Sequence, residues 1–222
     1  MSAFHPFRTF RPNVSFRPIA DIGTKRPPTT RCRLRTTAVK LATSADRATA
    51  MNRIMIVGQP GSGKSTLAAS LGQLTELPVV HIDKIHWQSG WVERSKEEKT
   101  RLCLEAEQQS RWIFEGGHSA TWPSRLQRAD MLIWLDLPVA LRLWRVFRRA
   151  VTSLGRTRPD MADGCPERLR SLPEFFTYIW QTRNSSRSGI ERLIRGSATN
   201  CEVVHLRSDA ASAAFLGRFE AI

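Results

Sequence analysis

Gly58-Gln59-Pro60-Gly61-Ser62-Gly63-Lys64-Ser65 is the stretch from which the rest of the chain can be read. It fits the spacing G-x-x-x-x-G-K-[ST] and has the surroundings that pattern requires: an apolar run, Ile54-Met55-Ile56-Val57, stands before it, and a helix-forming run, Ser65 to Leu74, follows. A loop with few side chains lets successive backbone N–H groups converge on phosphate oxygens, and the helix behind it turns its positive end toward them. Lys64 adds a mobile charge for the β- and γ-phosphates, and the Ser65 hydroxyl can ligate Mg²⁺. Gly58 to Thr66 are therefore expected to hold a nucleoside triphosphate.

On either side, short apolar runs alternate with amphipathic stretches. Ile54 to Val57, Val79 to Ile82, Trp112 to Phe114, Met131 to Leu135 and Glu202 to Leu206 read as buried strands bounded by Gly, Pro, Asp or Ser. Between them, Ser95 with Glu98 forms a capping box for a helix to about Ser110, and Asp136 ahead of Pro138 reads as the cap of another. Strands alternating with helices predict a parallel sheet covered on both faces, the α/β class.

A phosphate loop names a ligand rather than a reaction, so the acids matter. Asp83 follows the second strand, in His81-Ile82-Asp83-Lys84-Ile85-His86-Trp87, where it can accept a proton from an acceptor hydroxyl, hold Mg²⁺ through water, or serve only as a loop residue or cap. Glu115 ends the third strand and Asp136 the fourth. Both fit a second carboxylate for Mg²⁺, and Glu115 is preferred because Asp136 fits a cap. Trp87 and Trp91 fall in the loop after Asp83, where they can stack on a substrate ring or pack. His81 reads as a core residue, His86 and His118 as loop residues, and no spacing among them suggests a metal cage.

Arg142, Arg145 and Arg149 recur at i, i+3 and i+7, one helical face, with Val139, Leu143, Val146 and Ala150 on another. After them comes Gly155-Arg156-Thr157-Arg158-Pro159-Asp160, opening a Gly-, Pro- and Asp-rich loop without periodicity. An arginine face followed by such a loop suits a lid that excludes water and brings Arg156 and Arg158 onto a transferring phosphoryl group; the alternative is a solvated basic face. Arg183 and Arg187 can add to the same field, whereas Arg192 and Arg195 read as solvated. The aromatic run Phe175 to Trp180 reads as core.

Composition bounds the remainder. The 222 residues carry 34 Lys+Arg against 20 Asp+Glu, a formal charge of +14, which first suggests an anionic partner. Residues 1–50 hold ten of the basic residues, only Asp21 and Asp46 as acids, and five of the 12 prolines. They are expected to be a disordered extension to a domain at 51–222. A targeting segment, a nucleic-acid-binding arm, and a solvated extension or a start assigned upstream of Met51 all fit that composition. No apolar stretch reaches 18 residues, so no membrane span is expected. Cys32, Cys103, Cys165 and Cys201 form no CxxC pair, which fits a reducing, cytoplasmic setting.

From Met51 to about Leu206 the chain resembles the DNA topology modulation proteins, a bacterial branch of the adenylate-kinase-related P-loop kinases. The match rests on Gly58 to Thr66, on His81-Ile82-Asp83 with Trp87 and Gly90-Trp91, and on Leu135-Asp136-Leu137-Pro138. Its most specific part is Gly155-Arg156-Thr157-Arg158-Pro159-Asp160-Met161 with Gly164-Cys165-Pro166-Glu167. The resemblance implies a three-layer P-loop NTPase fold with a five-stranded parallel sheet, ATP with Mg²⁺ as donor, and a short lid at about 152–166. Where relatives carry Asp-Gly-Asn-Tyr after the third strand, this chain has Glu115-Gly116-Gly117-His118. Zinc-lid adenylate kinases use a set of lid cysteines; Cys165 stands alone here, so no zinc is expected. The expected activity is transfer of a γ-phosphoryl group to a small-molecule or nucleotide acceptor near Asp83, Trp87, Trp91 and Glu115. Lys64, Arg142, Arg145, Arg149, Arg156 and Arg158 would stabilise the charge. A nucleic-acid-associated, ATP-binding regulator and a simple ATPase are the alternatives. Nothing in the sequence speaks to oligomeric state.

Overall fold

The apolar runs become the strands of one sheet. The computed structural model describes residues 51–196 and 201–220; the expected extension at 1–50 lies outside the described residues. The elements in chain order are β1 (Arg53–Gly58), α1 (Lys64–Thr75), β2 (Val79–His81), α2 (Ile82–His86), β3 (Trp87–Gln88), β4 (Val92–Glu93), α3 (Lys96–Glu107), β5 (Trp112–Glu115), α4 (Trp122–Arg128), β6 (Met131–Leu135), α5 (Val139–Thr152), α6 (Leu172–Gly196), β7 (Glu202–Leu206) and α7 (Asp209–Glu220). Five strands form a parallel sheet in the order β2-β5-β1-β6-β7, and β3 and β4 form a separate antiparallel hairpin. The expected α/β architecture with a five-stranded parallel sheet is therefore the one observed.

Period-two alternation along β1 explains why its apolar run is continuous. Ile54 and Ile56 face one side, with Leu67 and Leu71 of α1 and Phe215 and Phe219 of α7. Met55 and Val57 face the other, with Cys103 of α3, Leu126 of α4 and Ile190 of α6. β1 lies in the middle of the sheet, so the loop that leaves its C-terminal end has the ends of β5 and β6 on either side.

Several local expectations are corrected. β2 ends at His81, and Ile82 opens α2 rather than completing the strand. Ser95 caps α3 as expected, accepting the Glu98 N–H at 3.1 Å, but the helix stops at Glu107. Asp136 does not cap α5: Pro138 holds the N-cap position, and the Asp136 carboxylate takes Arg187 at 3.2 Å and His205 at 3.1 Å. The aromatic run is not core either. It lies on α6, where Ile179 is buried but Trp180 is 52% exposed and covered on one face by the Arg183 guanidinium.

Between α5 and α6 the chain folds back on itself through isolated bridges, Leu154 with Glu167 and Thr157 with Pro166. Met161 and Cys165 on this segment are buried against Trp87 and Trp91 of the β3–β4 region. The segment expected to act as a lid is thus seated on the hairpin that follows Asp83.

Candidate active site

The loop between β1 and α1 owes its shape to close backbone approach. Gly61 and Gly63 have φ of 78° and 90°, which favours glycine. A Cβ on Gly61 would stand 2.5 Å from the Arg142 carbonyl oxygen, so α5 lies directly against the loop. Lys64 turns back across it, its ammonium donating to the Gln59 carbonyl at 3.1 Å. Burial lowers the Lys64 pKa, and the Glu115 and Asp83 carboxylates work against that shift.

The parallel register brings the acids to this loop. Ile56 of β1 is level with Glu115 of β5, and His81 of β2 is level with Glu115 from the other side. The Ser65 hydroxyl donates to Glu115 Oε1 at 3.0 Å, and His81 Nδ1 lies 2.9 Å from the same oxygen. Glu115 is only 2% exposed. Asp136 is turned away to Arg187 and His205, so of the two acids weighed from sequence, Glu115 reaches Ser65. A hydroxyl and a carboxylate converging in this way form a hard oxygen donor set that fits Mg²⁺.

Asp83 lies in the first turn of α2, close enough to Glu115 and Lys64 to feel both. Burial, reinforced by Glu115, pushes its pKa up to about 6, against the pull of Lys64 and Arg158. The same environment reaches Tyr178 on α6, whose pKa burial raises with the Asp83 charge adding to it. Gln59 donates its side-chain amide to the Arg183 carbonyl, tying α6 to the loop.

The expected arginines divide. Arg142 is 2% exposed and spends its guanidinium on backbone carbonyls, Leu137 at 3.2 Å and Pro60 at 3.4 Å. Arg145 donates to the Ser62 carbonyl at 3.2 Å and pairs with Asp209. These two brace the phosphate loop from behind, contrary to the expectation that all three of the stripe face the phosphoryl group. Arg149 lies 3.2 Å from Glu167, and Arg158 bridges Glu167 at 2.7 Å and Asp160 at 2.5 Å. Burial lowers the Arg149 pKa, with Arg158 nearby adding to the effect. Burial pushes the Asp160 carboxyl up, but Arg158 and the nearby Ser65 hydroxyl outweigh this and hold it below its usual value. Arg156 is exposed.

Trp87 is buried beneath Met161 and Cys165, with Trp91 edge-on to it at 5.3 Å between ring centroids. Trp91 donates its indole N–H to the Pro166 carbonyl at 3.0 Å. The tryptophans thus carry the folded-back segment, and Trp87 has no open face for a substrate ring. Arg187 pairs with Asp136 and Glu191, away from the phosphate loop. Sequence reading missed His81, Asp160, Glu167 and Tyr178. The acids stood inside the quoted 155–167 run, but nothing local marks Tyr178 beyond its being the chain's one tyrosine.

No family model matches the chain, and no curated protein matches it. Similar solved structures include shikimate kinase from Acinetobacter baumannii in complex with shikimate, at 16% identity and a TM-score of 0.48, covering 81% of this chain and 98% of that one. Shikimate kinase from Bacteroides thetaiotaomicron follows at 15% identity and 0.46, covering 78% and 98%. Deoxyadenosine kinase from M. mycoides, with dCMP and dCDP bound, shows 13% identity and 0.43, covering 77% and 100%.

Proposed function

We propose that residues 51–222 form a phosphotransferase that takes Mg·ATP at Gly58 to Thr66 and passes its γ-phosphoryl group to a small acceptor beside Asp83. The observation that carries this reading is the convergence of Lys64, Ser65, Glu115 and Asp83 at the C-terminal ends of β1, β5 and β2. The motif run from Gly155 to Glu167, which carries the resemblance to DNA topology modulation proteins, supplies the lid.

Backbone N–H groups of the loop and Lys64 bind the donor's phosphates. Ser65 and Glu115 would hold Mg²⁺, which supplies charge neutralisation when bound, and His81 orients Glu115. Arg149 and Arg158, with Arg156 from the lid, stabilise charge on the transferring group, while Arg142 and Arg145 keep the loop in shape. Asp83 orients the acceptor and takes its proton. The lid, seated on Trp87 and Trp91, excludes water.

The test is ADP formation by the full chain and by Lys64→Ala, with ATP binding followed by calorimetry. Lys64→Ala is expected to lose turnover by about 10³-fold or more, the scale of removing a cation from phosphoryl transfer. Variant activity within twofold of wild type would overturn the site.

A further inference from the structure

If residues 51–222 are a phosphotransferase, the reading on which this inference rests, Arg149 and Arg158 have to be brought to the same phosphoryl group. They start from different places. Arg149 stands on α5 one turn beyond Arg145, and Arg158 on the segment that follows the helix. α5 itself passes against the phosphate loop, where a Cβ on Gly61 would meet the Arg142 carbonyl and the Val146 side chain. Two guanidiniums drawn together there repel, and enclosing them without a counterion is costly.

One oxygen answers both. Arg149 Nε lies 3.2 Å and Arg158 Nε 2.7 Å from Glu167 Oε1. The Glu167 side chain is only 12% exposed. All three atoms are enclosed and have no hydrogen-bond partner of ordinary geometry among the described residues, so what joins them is charge. Glu167 takes the Nε edge of each guanidinium, and the planar fork keeps further N–H donors on its terminal nitrogens. Arg158 turns one of these to Asp160 at 2.5 Å. Those of Arg149 are left for phosphate oxygens, within reach of Lys64, whose pKa the Arg149 charge helps to lower.

Glu167 is itself pinned by its backbone. Its N–H donates to the Arg156 carbonyl at 3.1 Å, and its carbonyl accepts the Gly155 N–H at 3.1 Å. The residues just before it are seated on the hairpin that follows Asp83: the Trp91 indole donates to the Pro166 carbonyl at 3.0 Å, and the Gly90 N–H to the Gly164 carbonyl at 3.0 Å. A Cβ on Gly164 would stand 2.3 Å from Ser89 Oγ, so the segment lies flush against the hairpin turn. Glu167 thus occupies the joint between α5, the lid and the β3–β4 hairpin.

We propose that Glu167 is a positioning residue for phosphoryl transfer, holding Arg149 and Arg158 side by side so that both guanidiniums are presented to the γ-phosphoryl group of the donor. It touches neither donor nor acceptor and acts through the two arginines.

The test compares ADP with AMP-PNP, a non-hydrolysable ATP analogue, by calorimetry with Mg²⁺ and the full chain, because the two ligands differ in the group that the arginines meet. Glu167→Gln keeps the size of the side chain and removes its charge. It is expected to weaken AMP-PNP binding by about tenfold, the scale of one charge-assisted contact, with ADP binding held within about twofold. In an Arg149→Ala background the same substitution is expected to cost about threefold or less, since one of the groups that Glu167 holds is already gone. A residue that only stabilised the fold would weaken both ligands alike and act equally in both backgrounds. Glu167→Asp keeps the charge but shortens the reach by one methylene; it is expected to fall between wild type and the Gln variant, and it carries the test if the Gln variant does not fold. Equal losses for the two ligands, no loss for either, or the same loss with and without Arg149 overturns the inference and leaves the phosphotransferase reading standing. Tighter AMP-PNP binding by the Gln variant also overturns it, by showing that Glu167 competes with phosphate for the arginines. Failure of the wild-type chain to bind either nucleotide overturns the phosphotransferase reading itself, and the inference with it.

Discussion

Burial and the neighbouring Glu115 lift the Asp83 carboxylate from 3.8 to about 6, which makes it a better proton acceptor than an ordinary aspartate. The same lift has a cost in stability. A carboxyl whose folded pKa is raised contributes stability that is present below about pH 4 and lost as the pH rises through about 6, so above pH 6 the charged Asp83 weakens the fold. Asp83→Asn should therefore separate function from stability. Turnover is expected to fall by about 10² to 10⁴-fold, the usual contribution of a positioned general base. At pH 7.5 the variant is expected to be more stable than wild type by ~1 kcal/mol or more, raising Tm by a few degrees, with the advantage vanishing near pH 4. Wild-type turnover should itself decline as the pH drops below about 6. An Asn variant that is both inactive and less stable at pH 7.5 would show that Asp83 is a structural residue. His81 illustrates the limits of local reading at this scale. Inside a strand it looks like any half-buried residue, and only the register of β2 against β5 places it on Glu115.

The decisive contact between elements is that of the phosphate loop with α5. Gly61 lies where the helix backbone passes, and Arg142 and Arg145 reach from α5 to loop carbonyls more than 80 positions earlier in the chain. A side chain at Gly61 would meet backbone, which cannot rotate away, and would also sit at a φ unfavourable to L-residues. Gly61→Ala is expected to cost about 2 kcal/mol or more, lowering Tm by roughly 5 °C and abolishing measurable ATP binding. Gly117→Ala is the contrast, since a Cβ there meets nothing within 4 Å. It should change stability by less than about 0.5 kcal/mol. Equal effects of the two substitutions, compared by thermal unfolding, would contradict the close approach. At this scale periodicity announced α5 as a helix, but Arg142 is buried along with Val146 and Ala150 rather than on a separate basic face, and the β3–β4 hairpin went unread because two residues per strand leave no alternation to detect.

Across the whole chain, charge is unevenly placed: residues 1–50 account for a net +8 of the +14. Among the described residues, the three hydrophobic clusters lie within 51–220. A chain trimmed to residues 51–222 is expected to keep its Tm within ~2 °C and its rate of ADP formation within twofold, because the site and core it would need are retained. A larger loss in either measurement would show that the first fifty residues belong to the working fold. The five sheet strands and the phosphate loop could be read from the chain alone, because a G-x-x-x-x-G-K-[ST] spacing and runs of buried apolar residues are properties of neighbours in sequence. The fate of the arginines could not. A guanidinium on a helix face binds a phosphate, a carboxylate or a carbonyl equally well, and its partner is whichever group the packing brings within about 3 Å. Packing gave Arg142 and Arg145 to the loop backbone and Arg149 and Arg158 to Glu167, and it set Glu115 rather than Asp136 beside Ser65. Each of these choices joins residues at least nine positions apart, most of them fifty or more. Long-range approach of that kind is decided by how helices seat on a twisted sheet and leaves no local pattern in the sequence.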